Sequence, residues 1–263
     1  MTDAQIPNAT QADADPFYYG RRQVIRYDRT GQPSYTYLPL TAADFLDPQA
    51  GDEFVQTAQH DADVRTLRAI FRHLHRFNPA TGVLSNVKLI WPSADLPQPA
   101  PDLAIVPAMS DPDRQRSVFK VDEEGATPSF VLEVVSPRFV AADLEQKMVI
   151  YQQAGVPEYF IIDAGLREGQ DEQTPPTYQV LGYHWDAGAY LTIAPDARGW
   201  VYSASNKVWI GPTPARDSFV VIDARTQQPI TPAAEREEPV AAAYAEAANR
   251  ARSLAEQLDF LRL

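Results

Sequence analysis

The stretch FVLEVVSPRF, residues 130–139, decides the fold, because FVLEVV is an apolar run of the kind that forms a buried strand. A single carboxylate, Glu133, interrupts this run. Burying an unpaired carboxylate is expensive, so a glutamate at such a position is protonated, paired with a cation or bound to a metal ion. The rest of the sequence has to distinguish these three states.

The composition limits the kinds of protein that this chain can be. A chain of 263 residues that is 44% apolar can form one large domain or two small ones. The absence of cysteine excludes disulfides, a thiolate nucleophile and zinc–thiolate sites. The net charge of −12 repels nucleic acid at long range but does not exclude a local binding site. Neither an export signal nor an apolar stretch long enough to span a membrane is visible, and we expect a cytoplasmic protein.

The first clear helix follows a leader and N-terminal arm at residues 1–37. Apolar residues at helical spacing predict it within HDADVRTLRAIFRHLHRFNP. These apolar residues are Val64, Leu67, Ile70, Phe71 and Leu74. Four arginines share the opposite face, namely Arg65, Arg68, Arg72 and Arg76. Such a row is either a solvated surface or a ridge that contacts phosphates.

Short apolar runs predict the strands of an α/β domain. They are VKLIW, DLAIV, FVLEVV and EYFIID, with a helix in AADLEQKMVIYQQAG between the third and the fourth. The stretch AMSDPDRQRSVFKVDEEGATP between the second and third predicts a mobile loop. Hairpin signals after the fourth run predict an antiparallel meander that ends near Val221. A heptad pattern then predicts a C-terminal helix, residues 233–263, either as a coiled coil or packed on its own domain.

Two acids and an amine form a candidate site. Asp102 begins one predicted strand and Glu133 lies within another, so both can converge on a hard cation such as Mg²⁺. Asp143, Lys147 and Tyr151 follow at spacings of four and share one face of the next helix. Taken singly, each feature is typical of a turn or a surface ion pair. Together they favour phosphate chemistry, in which an amine orients water or stabilises charge on phosphate.

The runs PDLAIV, FVLEVVSPRF and DLEQKMVIYQQAGVPEYFIID resemble the Uma-two family of restriction-endonuclease relatives, a branch of the PD-(D/E)xK nuclease superfamily. The resemblance covers residues 40–225. It implies a restriction-endonuclease-like mixed β-sheet core flanked by helices over residues 38–225. It also implies that Asp102 and Glu133 bind Mg²⁺, or Mn²⁺, and that Lys147 is the active-site lysine. The superfamily usually places that lysine two residues after the acid, where this chain has Val135.

Further residues match the family or carry suitable charge. His60 matches a histidine common in the family, and its spacing from Val64 predicts an inward orientation; the alternative is a capping or packing histidine. Asp143 and Tyr151 also match family positions, and we expect these accessory residues to have structural roles. The resemblance implies a nucleic-acid partner. The candidate contacts are Arg65, Arg68, Arg72, Arg76, Arg114, Arg116 and Arg138.

These features predict a metal-dependent endonuclease that hydrolyses phosphodiester bonds in DNA. The alternative is a non-catalytic nuclease-fold module for binding or assembly, which forms a homodimer through its C-terminal helix. Acid–base chemistry on glycosides would leave Lys147 without a role. The choice between DNA and RNA, and any sequence specificity, stay open at this point.

Overall fold

A six-stranded mixed sheet forms the centre of the fold in the computed structural model, which describes residues 15–167 and 174–231. The strands in the described residues are β1 Gly20–Tyr27, β2 Pro33–Pro39, β3 Asp52–Phe54, β4 Gly82–Leu84, β5 Lys88–Ile90, β6 Leu103–Val106, β7 Val118–Lys120, β8 Phe130–Val134, β9 Glu158–Asp163, β10 Gln179–Asp186, β11 Ala189–Thr192, β12 Val201–Ser203, β13 Val208–Pro212 and β14 Phe219–Asp223. The helices are α1 Ala58–His75, α2 Val121–Glu124 and α3 Lys147–Gln153, and a π-helical turn, Ala142–Gln146, leads directly into α3.

The order of the central sheet is β11-β10-β9-β8-β6-β4. Its two middle strands, β8 and β9, run parallel, whereas their neighbours pair antiparallel. Every residue of both middle strands is buried, which explains why their sequences are nearly continuous apolar runs. Parallel pairing of consecutive strands needs a crossover connection, and here that connection contains the π turn and α3. The sheet therefore determines where Lys147 lies.

The alternation of side chains along β8 assigns Glu133 to one face of the sheet. Leu132 and Val134 pack on the face that α1 covers. Val131 and Val135 pack on the opposite face, together with Tyr151 of the crossover connection. Because Glu133 lies between Val131 and Val135 in the strand, its carboxylate points towards that connection. The predicted α/β class, with a mixed β-sheet core flanked by helices, is confirmed.

One prediction about the connecting segments was wrong. The stretch that predicted a mobile loop contains β7 and α2, because Phe119 and Val121 are buried in the core. The run VKLIW forms strand β5, as predicted, and β5 pairs in parallel with β7 in a two-stranded sheet separate from the central one. The strands of the predicted antiparallel meander belong to two sheets. Strands β10 and β11 extend the central sheet, whereas β12, β13 and β14 form a separate sheet. The residues of β12 and β13 pack against the α1 face of the core.

The N-terminal arm is a β-hairpin. Strand β1 pairs with β2 along its whole length and with β3 at its first residues. All seven residues of β2 are exposed, and β2 forms one edge of this three-stranded sheet.

The sequence predicted a leader that begins at residue 1 and, at the other end of the chain, a helix over residues 233–263. Residues 1–14 and the predicted C-terminal helix lie outside the described residues. Within the described ranges, no helix has the length and apolar character that crossing a bilayer requires.

Candidate active site

Two carboxylates meet where β6 and β8 pair. Leu103 of β6 lies opposite Leu132 of β8, so Asp102, which directly precedes β6, lies beside Glu133. The Asp102 amide donates to Glu133 Oε2 over 3.3 Å. The Val134 amide donates to Asp102 Oδ2 over 2.8 Å. Main-chain hydrogen bonds therefore fix both carboxylates where the strands meet.

Lys147 places its ammonium group between two carboxylates. The Nζ atom lies 3.0 Å from Glu133 Oε2 and 2.9 Å from Asp143 Oδ1. All three side chains are buried. Asp143 belongs to the π turn and Lys147 follows that turn directly, so the crossover connection supplies both. The position two residues after Glu133 is held by Val135, and the amine reaches the acid of β8 from the helix.

His60 approaches the carboxylate of Asp102 from α1. The hydroxyl of Thr57 caps this helix by accepting from the His60 amide over 3.1 Å, so Thr57 and not His60 is the cap. The predicted inward orientation of His60 is confirmed by its burial. Its Nε2 atom lies 3.3 Å from Asp102 Oδ2. Its Nδ1 atom is buried, makes no hydrogen bond within the described residues and lies 3.8 Å from Asp61 Oδ1.

Tyr151 and Asp143, for which we expected structural roles, contact Glu133 and Lys147, respectively. The Tyr151 hydroxyl donates to Glu133 Oε1 over 2.6 Å. The Ser136 amide donates to Asp143 Oδ2 over 3.1 Å, and the Tyr159 hydroxyl donates to the Asp143 main-chain carbonyl over 2.6 Å. Ser136 belongs to FVLEVVSPRF, so the stretch that supplies the acid also holds the partner of the lysine. We refer to His60, Asp102, Glu133, Asp143, Lys147 and Tyr151 as the charged cluster.

Burial and neighbouring charges determine the protonation of the charged cluster. Burial raises the pKa of Glu133 to about 8, because Lys147 offsets only part of the cost. Burial likewise raises the pKa of Asp143. Burial acts against the charged form of Lys147, but the carboxylates outweigh it and hold the pKa of the amine above its ordinary value.

Asp102 and His60 form a charge pair within the same cluster. Burial acts to raise the pKa of Asp102, but the charge and hydrogen bond of His60 hold that pKa below its usual value. Asp102 in turn overcomes the burial of the imidazole and raises the pKa of His60 to about 9. Near pH 7 an ionised Asp102 therefore faces a protonated His60, while Glu133 retains a proton.

The donor set suits a divalent cation such as Mg²⁺ or Mn²⁺. Mg²⁺ takes oxygen ligands and usually one or two protein carboxylates, which matches Asp102 and Glu133 in kind and number. Asp102 Oδ1 accepts no hydrogen bond from the described residues, and 9% of the side chain is exposed, so lone pairs are available. Within the described residues, no group of three or more His, Asp or Glu side chains is arranged to hold a metal ion. Water and phosphate would have to supply the remaining ligands.

The four arginines of α1 lie on the surface, as predicted. Arg65, Arg68, Arg72 and Arg76 are all exposed. Within the described part of the chain, Arg65 and Arg72 take part in no ion pair. The guanidinium of Arg76 lies 4.3 Å from the centre of the Phe77 ring. These side chains form a row, which we call the α1 arginine ridge.

The other three arginines already have partners. The side chain of Arg116 is only 5% exposed and its guanidinium lies 3.7 Å from Glu124 Oε1, an arrangement that does not favour the predicted contact with nucleic acid. Arg114 pairs with the same glutamate but remains about half exposed. Arg138 donates to the main-chain carbonyl of Tyr18 and lies 4.9 Å from the centre of that ring. These contacts of Arg138 link the N-terminal arm to the core.

Sequence reasoning missed Phe45, which also contacts the charged cluster. Its ring centre lies 4.0 Å from Lys147 Nζ and 3.9 Å from the ring centre of Phe139. A cation above an aromatic ring is attracted by the electron density of the ring face. No pattern in the sequence connects Phe45 with Lys147, because the two positions are separated by about a hundred residues.

Tyr151→Phe should lower the free energy of unfolding by about 1–3 kcal/mol, because it leaves a buried Glu133 oxygen without its donor. The measurement is urea denaturation followed by tryptophan fluorescence. Tyr183→Phe is the matched control, since the Tyr183 hydroxyl makes no hydrogen bond within the described residues. Equal losses in the two variants would contradict a specific role for the Tyr151 hydroxyl.

Comparisons with known proteins identify a family whose model covers the residues of the charged cluster. A family model for Uma-two, described as "Putative restriction endonuclease", matches residues 51–235. Among solved structures, a crystal structure of "a putative nuclease belonging to DUF820" from Anabaena variabilis ATCC 29413 matches with 14% identity and a TM-score of 0.41. That match covers 64% of this chain and 91% of the other. No curated protein matches the chain. The charged cluster lies inside the residues that the family model matches, whereas Phe45 and the N-terminal hairpin precede them.

Proposed function

The chain belongs to the family described as "Putative restriction endonuclease", and we propose that it is a metal-dependent endonuclease that hydrolyses phosphodiester bonds in DNA. The observation that carries the proposal is the convergence of two strand carboxylates, Asp102 and Glu133, with the buried ammonium of Lys147. We assign this activity to residues 38–225, preceded by the leader and arm at residues 1–37.

In this proposal Asp102 and Glu133 would hold the divalent cation, which when bound polarises the phosphate and lowers the pKa of a coordinated water. Lys147 carries a permanent positive charge, because its carboxylate neighbours raise its pKa. An ammonium group held in a buried site stabilises the negative charge that develops on the phosphate and orients the attacking water.

Three further residues act through these groups as positioning residues. His60 holds Asp102 through its Nε2 atom, and Tyr151 holds Glu133 through its hydroxyl. Asp143 pairs with Lys147 and keeps the amine at the edge of the two strand acids. We propose that they fix the orientation of the groups that would meet the substrate.

The α1 arginine ridge offers a path for the DNA backbone. A helix rises about 1.5 Å per residue, so Arg76 lies about 24 Å along the axis from His60, which contacts the site. Arginines so spaced can contact successive phosphates despite the acidic total charge of the chain. Binding of DNA should then weaken as the salt concentration rises. The exposed Arg114 and the half-buried Arg138 are secondary candidates for such contacts.

The test is a cleavage assay on plasmid, linear duplex, single-stranded DNA and RNA, with Mg²⁺, with Mn²⁺ and with a chelator. We expect metal-dependent cleavage of DNA, and at least a roughly 100-fold loss of rate in Asp102→Asn and in Lys147→Met, since each removes a group that acts on the scissile phosphate. Lys120→Met is the matched control, because Lys120 is exposed and pairs with the exposed Glu123. Cleavage that persists in chelator, or that Lys147→Met leaves intact, would contradict the proposal.

A second candidate is a non-catalytic assembly module that forms a homodimer through its C-terminal helix. The observation that favours it is the internal pairing of the cluster, since Lys147 already has Glu133 and Asp143 as buried partners. Truncation after residue 232, followed by sedimentation analysis, tests this candidate. A dimer that becomes a monomer, in a protein that cleaves none of the four substrates, would favour assembly over catalysis.

A further inference from the structure

One face of the N-terminal hairpin concentrates exposed aromatic side chains. In the register of β1 and β2, Ile25 lies opposite Tyr35 and Tyr27 lies opposite Pro33. Tyr37 follows Tyr35 at a spacing of two and therefore lies on the same face. We call Ile25, Tyr27, Tyr35 and Tyr37 the tyrosine face.

The tyrosine face is unusually open to solvent. Its members are exposed by 44% at Ile25, 70% at Tyr27, 57% at Tyr35 and 41% at Tyr37. Residues 15–39 contain six of the twelve large apolar or aromatic side chains that are exposed in the described part of the chain. Single exposed apolar residues need no explanation, but a contiguous group of them indicates a binding surface.

The hairpin is basic in an otherwise acidic chain. Residues 15–39 contain four arginines and two aspartates, which gives 4 − 2 = +2, whereas the whole chain has a charge of −12. The guanidinium of Arg21 lies 4.6 Å from the centre of the Tyr37 ring, on the tyrosine face itself. Arg21 also pairs with Glu53, but both side chains are about half exposed, and such a surface pair exchanges partners at little cost. Arg29 lies in the turn and takes part in no ion pair within the described residues.

The base of the hairpin lies next to the charged cluster. Arg138 donates to the carbonyl of Tyr18, and the Tyr19 ring lies 5.5 Å from the ring of Phe139. Phe139 in turn stacks on Phe45, which covers the ammonium of Lys147. The eight residues of β1 extend about 26 Å from this point, at about 3.3 Å per residue. A strand of substrate that enters the site could therefore continue along the hairpin.

We propose that the tyrosine face binds single-stranded nucleic acid by stacking unpaired bases on Tyr27, Tyr35 and Tyr37. Flat aromatic rings with an adjacent arginine suit the faces of unpaired bases, which every base offers regardless of sequence. Duplex DNA presents phosphates instead, and the tyrosine face has a single cation, Arg21, with which to meet them. The inference rests on the proposed nuclease function and extends it by a second contact outside the matched family residues.

The test is fluorescence anisotropy of labelled poly-dT and of a duplex of equal length, with the full chain in chelator so that neither is cleaved. Tyr35→Ser/Tyr37→Ser should weaken binding of poly-dT at least about 25-fold, the loss expected for two stacked bases at the low end of measured base stacking on aromatic rings. Binding of the duplex should change less than about threefold.

Two control variants isolate the role of the rings. Tyr35→Phe/Tyr37→Phe keeps the rings and should bind poly-dT within about threefold of the wild type, because stacking does not need the hydroxyls. Leu191→Ser removes a side chain of similar exposure from β11 and should leave binding unchanged. Circular dichroism of each variant establishes that it is folded.

Three outcomes would overturn the inference. The first is binding of poly-dT to the serine variant as tight as to the wild type, and the second is no binding of poly-dT to the wild type at all. The third is a change from dimer to monomer in the serine variant with unchanged binding of poly-dT, which would assign the tyrosine face to contacts between copies. Metal-dependent cleavage of duplex DNA is measured separately, so it shows whether the nuclease function stands when the hairpin inference fails.

Discussion

Lys147→Met should lower the free energy of unfolding by about 3–5 kcal/mol at pH 9, which lies above the folded pKa of Glu133 and leaves that carboxylate ionised. The substitution removes the ammonium that lies within 3.0 Å of both Glu133 and Asp143, and it leaves buried carboxyl groups without their cation. Breaking a buried ion pair on one side is more costly than replacing both partners, because the remaining charge has no water to solvate it. Urea denaturation of wild type and variant measures the difference.

The double variant Lys147→Met/Glu133→Gln separates the ion pair from packing. If the lost cation is the cause, neutralising Glu133 as well should recover a large part of the stability, and the two changes should be strongly non-additive. Lys120→Met, which breaks an exposed pair with Glu123, should cost at most about 1 kcal/mol. Additive losses at Lys147 and Glu133 would mean that the pair contributes nothing beyond the bulk of its side chains.

The free energy of unfolding should decrease as the pH rises from about 5 to about 9. Folding raises the pKa of Glu133 from 4.5 to about 8, so between these values the folded chain holds a proton that the unfolded chain has released. His60, raised from 6.5 to about 9, acts in the same direction. Both contributions are complete below the unfolded pKa and are lost as the pH rises through the folded one. Each such proton lowers the unfolding free energy by up to about 1.4 kcal/mol per pH unit.

Asp102 acts in the opposite direction at low pH. Its pKa is lowered in the folded state, so its contribution is present above the ordinary value and is lost in acid. Stability should therefore be highest near pH 5, and urea denaturation at a series of pH values locates that maximum. Glu133→Gln should remove the decrease between about pH 5 and 8 and leave the part due to His60. The exposed Glu145, changed to Gln in the same connection, should follow the wild-type curve. A wild-type curve that rises through this range would show that Glu133 is ionised when buried.

Local sequence patterns predicted that the strand acids are buried, that Lys147 shares a helical face with Asp143 and that His60 points inward, whereas the resemblance to the family implied their roles. A carboxylate inside an apolar run has to be buried with a partner, and spacings of four residues place Asp143, Lys147 and Tyr151 on one helical face. The central strands were equally clear, since parallel strands that are buried on both faces are apolar throughout. These features depend on neighbours in the chain, and for that reason a sequence reveals them.

Other features depend on partners that are distant in sequence. Phe45 reaches Lys147 only because the N-terminal arm folds over the core, and no spacing rule connects the two. The sequence placed Arg116 in a predicted mobile loop, where its charge could contact nucleic acid. That segment instead forms β7 and α2, and Arg116 pairs with Glu124. The separation of β12, β13 and β14 from the central sheet likewise depends on which apolar face each strand covers. Tertiary packing decided all three.

The π turn at Ala142–Gln146 has a consequence for sequence length. Such a turn contains one residue more than the α-helical turn that it replaces, and the extra residue changes the rotation between the segments on its two sides. Deleting the exposed Glu145 would allow the connection to form a regular helix and would reduce the spacing of Asp143 and Lys147 from four residues to three. Every functional side chain would remain, but the position of the amine relative to the carboxylates would change. In this segment, we expect substitutions at exposed positions to be tolerated more readily than the insertion or deletion of a single residue.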